Sequence, residues 1–332
     1  MHCLVVLGPT ATGKTRLAVT LARALAGEIV SADSRQVYRG LTIGTGKDLA
    51  DYGSGDQAVP HHLIDVVDPD EDYHLFRYAL EARQAIADIA RRGRLPIIVG
   101  GTPLYINALL DEYTLEGGGP DPDLRAKLEC QSDDQLLERL HHEAPDIHAR
   151  VDTTQRKRII RALEIALTRT PPDDRPLPPL DALLLAPYYH RTETHARIKT
   201  RLDARLEEGM IDEVRQLHKN GLTWERLDQF GLEYRHVAAF LKGETSLSQM
   251  HDTLYFRIRR FCKSQDSWFR KMERAGKIIH WLPGGDTSRA LNLAHLFLDG
   301  KPLPPPDFQL KDITYGPRSN QRSASSGEQS AR

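Results

Sequence analysis

Residues 8–15 read GPTATGKT and match the pattern GxxxxGK followed by Ser or Thr. The apolar run CLVVL precedes this motif, and leucines and alanines at helical spacing follow it. In such a context the glycines let backbone N–H groups converge on one point, while Lys14 adds positive charge at a helix N-terminus. The motif therefore predicts a strand, a loop and a helix that together bind a phosphate group, and it leaves open whether that phosphate belongs to a nucleotide such as ATP.

Short β-branched runs alternate with helical patterns along the first hundred or so residues, which is typical of a parallel sheet with crossover helices. Helices are predicted over residues 13–26 and 76–91. The predicted strands, in chain order, are CLVVLG, GEIVSADS, HHLIDVV, LPIIVGGT, LDALLLAPYY and KIIHWL. We therefore predict an α/β protein, a P-loop NTPase-like parallel sheet core with a helical insertion.

The same pattern divides the chain into six predicted segments. They are the first part of the core (1–118), a helical insertion (119–179), a returning core strand (180–192), a helical region that closes on the core (193–276), a closing core segment (277–304) and a disordered tail (305–332). The tail is predicted from its abundance of Pro, Ser, Gln and Arg and its scarcity of apolar residues.

The overall charge excludes no class of binding partner. Lysines and arginines number 45 against 46 acidic residues, so affinity for a polyanion must come from local patches. The three cysteines are far apart and form no CxxC pair, which argues against a disulfide framework or a zinc site and favours a reducing compartment. No apolar stretch is long enough to span a bilayer, so we expect a soluble, cytoplasmic protein.

An acidic residue follows the second predicted strand. A hydrolysing P-loop enzyme usually has a strand ending in a Mg²⁺-binding acid, but LPIIVGGT ends in two glycines and a threonine, and Asp65 is a weaker candidate. Asp33 is expected to face the phosphate loop, because the carboxyl ends of parallel strands border the ligand crevice. Two roles remain open for Asp33: an outer ligand of Mg²⁺ or a general base that acts on an acceptor.

Two adjacent histidines, His61 and His62, invite a metal interpretation because acidic residues follow them. Neighbouring side chains of a strand point to opposite faces, so both rings cannot bind one ion without distortion. A structural role is the better prediction.

Six segments occur in the order found in bacterial tRNA dimethylallyltransferases, and the likeness spans residues 4–282. The segments are GPTATGKT, SADSRQVYRGLTIGTGK, PHHLIDVVDP, RGRLPIIVGGTPLY, RKRIIRALE and KSQDSWFR. The chain thus resembles that family. The resemblance implies Mg²⁺-dependent transfer of a dimethylallyl group from dimethylallyl diphosphate to the exocyclic amine of the adenosine 3′ to the anticodon. The implied partners are this diphosphate and the tRNA anticodon stem-loop, and we expect a monomer.

The resemblance also implies roles for residues near the diphosphate. Asp33 would accept the amine proton, Lys14 would stabilise the leaving group and Thr15 would bind Mg²⁺. Thr10 would either donate to the bridging oxygen or merely fill the loop. The implied diphosphate-binding set is Gly8, Pro9, Thr10, Ala11, Thr12, Gly13, Lys14, Thr15 and Arg201, with a solvated helix face as the alternative for Arg201.

A further set is implied to contact tRNA. It consists of Asp33, Ser34, Arg35, Gln36, Thr102, Arg125, Lys157, Arg158, Ile159, Ile160, Arg161, Lys263 and Gln265. Basic side chains would bind backbone phosphates, and the aromatics beside Lys263 could stack on bases. The alternatives are local: a capped loop at 33–36, a helix cap at Thr102, a salt bridge at Arg125 and solvated faces for the basic runs.

Three other functions remain open at this point. An adenylate isopentenyltransferase would use a free nucleotide as acceptor and would not need the basic helices. A P-loop kinase of a small metabolite would consume ATP. A nucleotide-binding regulatory module would need no catalytic carboxylate at Asp33.

Overall fold

The computed structural model describes residues 1–110, 119–168 and 179–313. Its centre is a parallel sheet of six strands in the order β3-β2-β4-β1-β5-β6. The strands are β1 (His2–Leu7), β2 (Gly27–Ser31), β3 (His61–His62), β4 (Leu95–Gly100), β5 (Asp181–Tyr188) and β6 (Ile279–Pro283). The predicted α/β class and the predicted parallel sheet are confirmed.

Helices cover both faces of the sheet, and the central strands are therefore buried on both sides. In β1, Cys3, Val5 and Leu7 contribute to one hydrophobic cluster, while Leu4 and Val6 contribute to the other. All five side chains are 0% exposed. This burial explains why β1 reads as a continuous apolar run rather than as an alternating one.

The described helices are as follows: α1 (Lys14–Ala24), α2 (Leu75–Arg91), α3 (Pro103–Leu110), α4 (Pro122–Glu129), α5 (Asp133–Glu143), α6 (Pro145–His148), α7 (Arg156–Leu167), α8 (Arg191–Glu207), α9 (Met210–Lys219), α10 (Trp224–Gln229), α11 (Leu232–Leu241), α12 (Leu247–Arg274) and α13 (Thr287–Leu298). Short 3₁₀ turns occupy Leu49–Tyr52, Gly55–Gln57 and Leu310–Asp312. No helix within the described ranges has both the length and the apolar character needed to cross a membrane.

Helices α4 to α7 form a small helical unit with an apolar cluster of its own. That cluster includes Leu128, Leu136, Leu140, Ile159, Ile160 and Leu163. The unit lies between β4 and β5 in the chain, where the sequence predicts a helical insertion. The six-segment division itself stays a prediction.

Helix α12 is the longest described helix, with 28 residues, and it packs against α3, α8 and α11. A capping box between Ser246 and Gln249 begins it. Near its other end the Glu273 carboxylate accepts hydrogen bonds from Trp281 Nε1 (2.7 Å) and from the N–H of Leu310 (3.0 Å). These contacts anchor α12 to β6 and to the segment that follows α13.

Two boundaries differ from the predictions. The expected strand HHLIDVV stops at His62, because Leu63 and Asp65 have positive φ angles of 63° and 56°, which an extended strand does not accept. The predicted tail does not start at 305, since Leu310 is buried and hydrogen-bonded to Glu273. The remainder of the predicted tail, 314–332, lies outside the described residues.

Candidate active site

A cavity of about 870 Å³ opens at the carboxyl ends of β1, β2 and β4. Parallel strands collect their carboxyl ends at one edge, which is where such sheets bind ligands. Its walls come from the phosphate loop, the segment 33–36, the segment 100–103, and helices α8 and α12. The structure thus brings Lys14, Asp33 and Arg201, predicted from distant stretches of sequence, to one cavity.

The phosphate loop has the backbone that its glycines predict. Gly8 has a φ of 138°, and Gly13, immediately before α1, has a φ of 80°. Side chains at these positions would be strained in such conformations. The Thr12 hydroxyl donates to the Pro9 carbonyl at 2.9 Å and holds the turn closed. The loop therefore presents the first turn of α1 to the cavity.

Lys14 is the loop's charged side chain. Its Nζ donates to the Pro9 carbonyl at 2.7 Å. Burial of the ammonium, together with the nearby Arg201, lowers the pKa of Lys14 to about 8, although Asp33 acts in the opposite direction. Burial thus disfavours the charged form of Lys14, and an anion that enters the cavity stabilises that form.

Asp33 lies at the end of β2 and lines the cavity. Its Oδ1 accepts a hydrogen bond from the N–H of Arg35 at 2.9 Å, which fixes the carboxylate in a tight turn. The N–H of Ser34 donates to the Thr102 hydroxyl at 3.2 Å, and the N–H of Thr102 donates to the Ala32 carbonyl at 3.3 Å. Thr102 therefore joins the ends of β2 and β4, and Ser34, Arg35 and Thr102 line the cavity with Asp33.

Two glutamines of the predicted tRNA set make their hydrogen bonds within the protein. Gln36 accepts from the Ser31 hydroxyl (3.1 Å) and donates to the Gly46 carbonyl (2.9 Å). Gln265, on α12, is only 3% exposed. Its Oε1 accepts from the N–H of Thr10 at 3.0 Å, and its Nε2 donates to the Gly101 carbonyl at 2.6 Å. This setting favours a bracing role for Gln265 over the predicted RNA contact.

Helix α8 contributes a row of arginines to the cavity: Arg197, Arg201 and Arg205, one turn apart. Arg197 Nε donates to the Ala11 carbonyl at 2.9 Å, and its guanidinium stacks 4.1 Å from the centre of the Tyr189 ring. Burial and the neighbouring Arg205 lower the pKa of Arg201 to about 10. Only Arg201 of this row is in the predicted diphosphate-binding set, although the i, i+4, i+8 spacing places all of these arginines on one helix face.

Oxygen donors suited to a hard cation also line the cavity. They are the Thr15 hydroxyl and the carboxylates of Asp48 and Asp51. Neither aspartate is among the residues predicted from the sequence. Among the described residues there is no cluster of three or more His, Cys, Asp or Glu side chains that could hold a metal. Mg²⁺ nevertheless often needs only one or two protein ligands beside substrate phosphates and water, so the residues present fit it.

The weaker acid candidate, Asp65, faces elsewhere. Its Oδ1 lies 2.5 Å from Lys47 Nζ, and the Lys47 side chain is completely buried. Lys47 also donates to the Tyr38 carbonyl at 2.6 Å. Asp65 is thus the counter-ion of a buried lysine. His62 has a similar structural position, because its Nε2 lies 2.8 Å from Glu28 Oε2.

The predicted tRNA residues of α4 and α7 do not line the cavity. Arg125 Nη2 lies 2.7 Å from Glu164 Oε2, and Arg158 Nη1 lies 2.8 Å from Asp152 Oδ2. Arg161 contacts the same Glu164 oxygen at 3.3 Å, and Lys157 is exposed. These cations lie on the helical unit and not in the lining of the cavity.

The burial of Ile159 and Ile160 disagrees with the predicted tRNA contact more clearly than the position of the cations does. The two isoleucines are 1% and 4% exposed and belong to the apolar cluster of the helical unit. Side chains buried in this way support α7 rather than contact RNA. Their spacing before Leu163 is the ordinary signal of a helix face that packs on its neighbours.

Lys263 lines a second cavity, of about 480 Å³, on the Pro9 and Thr12 side of the phosphate loop. Arg259, Arg260 and Arg270 line it too. On the outer face of α12, Phe256, Phe261 and Trp268 are exposed by 53%, 47% and 40%. Arg260 lies 5.9 Å from the Phe256 ring centre, so α12 presents mixed basic and aromatic surface to solvent.

Two family models match the chain. The model described as IPP transferase matches residues 36–272, and the model described as isopentenyl transferase matches residues 1–55. Among curated proteins, the chain is 49% identical to tRNA dimethylallyltransferase 1 of Geotalea uraniireducens over 286 residues, which is 86% of this chain and 94% of that protein. It is also 49% identical to tRNA dimethylallyltransferase 2 of Trichlorobacter lovleyi, with 85% of this chain and 92% of that protein covered.

Solved structures give the same likeness. The full-length tRNA isopentenylpyrophosphate transferase of Bacillus halodurans is 34% identical, with a TM-score of 0.64 over 90% of this chain and 96% of that chain. A eukaryotic dimethylallyltransferase acting on tRNA is 26% identical, with a TM-score of 0.77 over 91% of this chain and 80% of that chain. The similarity to these two structures therefore extends over about nine tenths of this chain.

Proposed function

This chain belongs to the IPP transferase family, and from that premise we propose how its residues carry out the reaction. The reaction is transfer of a dimethylallyl group from dimethylallyl diphosphate to the exocyclic amine of the adenosine 3′ to the anticodon in tRNA, with release of diphosphate. The relatives give no support to a free nucleotide as acceptor or to a kinase. The observation that carries the assignment is the meeting of the phosphate loop and Asp33 in one cavity.

The phosphate loop, with Lys14, binds the diphosphate. Negative charge accumulates on the leaving oxygens as the allylic carbon–oxygen bond breaks, and preorganised donors stabilise that charge. The backbone at residues 11–15, the Lys14 ammonium and the Arg201 guanidinium are the groups in position to do so. Thr10 can assist only through its hydroxyl, since its N–H is already bonded to Gln265.

Asp33 acts as the general base. The amine lone pair is conjugated with the adenine ring, so the amine is a weak nucleophile until it loses a proton. The lone pair forms the new bond to the allylic carbon, the electrons of the broken carbon–oxygen bond leave with the diphosphate, and the amine proton passes to Asp33. The turn formed with Arg35 holds the carboxylate toward the cavity for this transfer.

Mg²⁺ is the proposed cofactor. Thr15, with Asp48 beside it in the lining, would hold the ion against the phosphate groups. When bound, Mg²⁺ neutralises part of the charge of the leaving diphosphate.

The target adenosine must leave its base stack to reach the cavity. Ser34, Arg35 and Thr102 line the cavity with Asp33 and offer donors and acceptors for its base edge. The exposed cations Lys157, Arg158 and Lys263 would hold the RNA backbone, together with the half-buried Arg161 of α7 and with Arg125 of α4 in the helical unit. We further propose that the enzyme acts as a monomer in the cytoplasm, where tRNA is found.

The test is an incubation with Mg²⁺, labelled dimethylallyl diphosphate and either unmodified tRNA or AMP. We expect label in tRNA only, and a loss of about 10²- to 10⁴-fold in kcat for Asp33→Asn, the range typical of a general base. Diphosphate binding should persist in this variant. The exposed carboxylate Asp70, outside the cavity, supplies the matched control Asp70→Asn.

Label in AMP would contradict the assignment of tRNA as acceptor. Full activity of Asp33→Asn would remove the base role and leave Asp33 as an outer ligand of Mg²⁺. Incorporation in neither acceptor, accompanied by ATP consumption, would favour a kinase.

A further inference from the structure

Two guanidinium groups converge on one wall of the main cavity. Arg201 and Arg205 lie one turn apart on α8, and both line the cavity. The Nη2 atoms of both lie against Gly46, where even a Cβ atom would collide with them. Glycine at position 46 therefore leaves room for the two groups to approach each other.

These groups have donors without acceptors. Arg205 is 7% exposed, yet its Nη2 has no hydrogen-bond partner among the described residues, and the same is true of Arg201 Nε. The carboxylate of Glu233, at the start of α11, lies 3.8 Å from Arg205 Nη1, which is an ion pair but too long for a hydrogen bond. Buried cationic donors in this state are costly, and a ligand with several anionic oxygens removes that cost.

The position of the pair indicates which anion it binds. Arg201 lies close enough to Lys14 to lower the pKa of that lysine, and Arg205 lines a small adjoining cavity together with Thr10 and Ala11 of the phosphate loop. A guanidinium matches the oxygens of a phosphate group in shape as well as charge. An anion bound by the phosphate loop would thus lie in the cavity that both arginines line.

We propose that Arg205 is a second guanidinium of the diphosphate site, paired with Glu233 in the free enzyme and released to the diphosphate oxygens when the substrate binds. This inference rests on the proposed function of the cavity. It adds a residue outside the motif-matched set and gives Glu233 a role as the counter-ion that competes with the substrate. Glu233, the second residue of α11, itself lines the cavity, so the exchange frees a carboxylate there.

For Glu233 the proposal predicts that loss of its charge raises the affinity for diphosphate instead of lowering it. Removing a purely structural partner weakens a site, whereas removing a competing counter-ion strengthens binding of the anion. Glu233→Gln keeps the size of the side chain and removes its charge. It should therefore bind diphosphate more tightly than the wild type, while Arg205→Met should bind it more weakly.

The experiment measures calorimetric binding of inorganic diphosphate, with Mg²⁺ present, to the full-length enzyme and its variants. We expect Arg205→Met to weaken binding by about 10- to 100-fold, the range for one charge-assisted hydrogen bond, with Arg205→Lys recovering part of the loss. Glu233→Gln should tighten binding by a few-fold. Lys199→Met is the matched control, because Lys199 lies on the same helix but is 57% exposed and pairs with Asp203.

Steady-state kinetics supply a second measurement. Arg205→Met should raise KM for dimethylallyl diphosphate and leave KM for tRNA near its wild-type value. If Arg205→Met does not fold, Arg205→Met combined with Glu233→Met removes both buried charges and should show the weakened binding without the gain seen for Glu233→Gln.

Wild-type binding by a folded Arg205→Met enzyme would overturn the inference, as would a loss in Glu233→Gln equal to that in Arg205→Met. Either result would make the pair a link between α8 and α11 only. Failure of the proposed function gives a different result, since the wild type would then not prenylate tRNA, whatever its affinity for diphosphate.

Discussion

The cavity and the helical unit both contain many cations, but they use them differently. In the helical unit, Arg125 and Arg161 share the fully buried Glu164, and Arg158 pairs with Asp152. In the cavity, Arg201 and Arg205 retain buried donors without acceptors among the described residues. Paired cations stabilise a fold, whereas buried cations with unused donors mark the place where an anion binds. The number of positive charges in a stretch of sequence does not distinguish the two.

After Asp33, the largest effect is expected at Lys14, the charged side chain of the phosphate loop. Lys14→Met should lower kcat by about 10²- to 10³-fold, because one preorganised charge at the leaving group is lost. Affinity for tRNA, measured by filter binding, should change little. A comparable loss of tRNA affinity would show that the phosphate loop and the RNA surface are not separate regions.

An intermediate effect is expected at Gln265, which the sequence assigns to RNA and the structure assigns to the phosphate loop. Gln265→Ala leaves the Thr10 N–H and the Gly101 carbonyl without their partner. We expect KM for dimethylallyl diphosphate to rise by about tenfold, in line with the loss of buried hydrogen bonds. An increase confined to KM for tRNA would instead support the predicted contact between Gln265 and tRNA. Ser264→Ala, at the exposed neighbouring position, is the control.

An effect of similar size, but on tRNA binding, is expected on the helical unit. Arg158→Glu should weaken tRNA binding by about tenfold at low salt and reduce the salt dependence of log K by roughly one phosphate contact. Diphosphate binding should be unchanged. If tRNA binding is also unchanged, Arg158 only pairs with Asp152 on a solvated face of α7. The cations of the helical unit would then serve the fold alone, in contrast to those of the cavity.

The smallest effect concerns pH. The pKa of Lys14 is about 8, so the free enzyme loses this charge as pH rises through that value, while a bound diphosphate favours the protonated form. Diphosphate affinity should therefore fall a few-fold from about pH 7 to about pH 9, with proton uptake on binding. The groups that act on Lys14 are Arg201, Asp33, Cys262 and Asp48. Lys14→Arg keeps its charge over this range and should flatten the profile; an unaltered profile would exclude Lys14 as its source.

Much of the core could be predicted from sequence because its signals are local. The glycines of the phosphate loop require particular φ angles, and the buried strands require apolar runs, so β1, α1, β2 and β4 were found with small errors at their ends. The third strand is shorter than predicted, because the sequence LID does not indicate that Leu63 and Asp65 adopt positive φ angles. Apolar spacing on α7 did indicate a packed face, but the family resemblance led Ile159 and Ile160 to be assigned to RNA.

The features that the sequence does not predict depend on tertiary contacts. A glutamine beside exposed cations on α12 reads as surface, yet Gln265 reaches into the core between two loops that precede it by more than a hundred residues. Arg205 and Glu233 come from separate helices and share no spacing that a periodic pattern could detect. Such pairings are set by how helices meet, which local propensity does not encode.

The hydrogen bond between the Thr10 N–H and Gln265 has an evolutionary consequence. A phosphate that enters the loop meets one backbone donor fewer, because that N–H is already occupied by α12. The bond therefore couples the position of α12 to the backbone of the phosphate loop. Because the donor is a backbone N–H, it persists for any residue at position 10 except proline, whereas replacement of Gln265 removes the acceptor. Sequences of related enzymes should therefore keep a hydrogen-bond acceptor at position 265 and exclude proline at position 10.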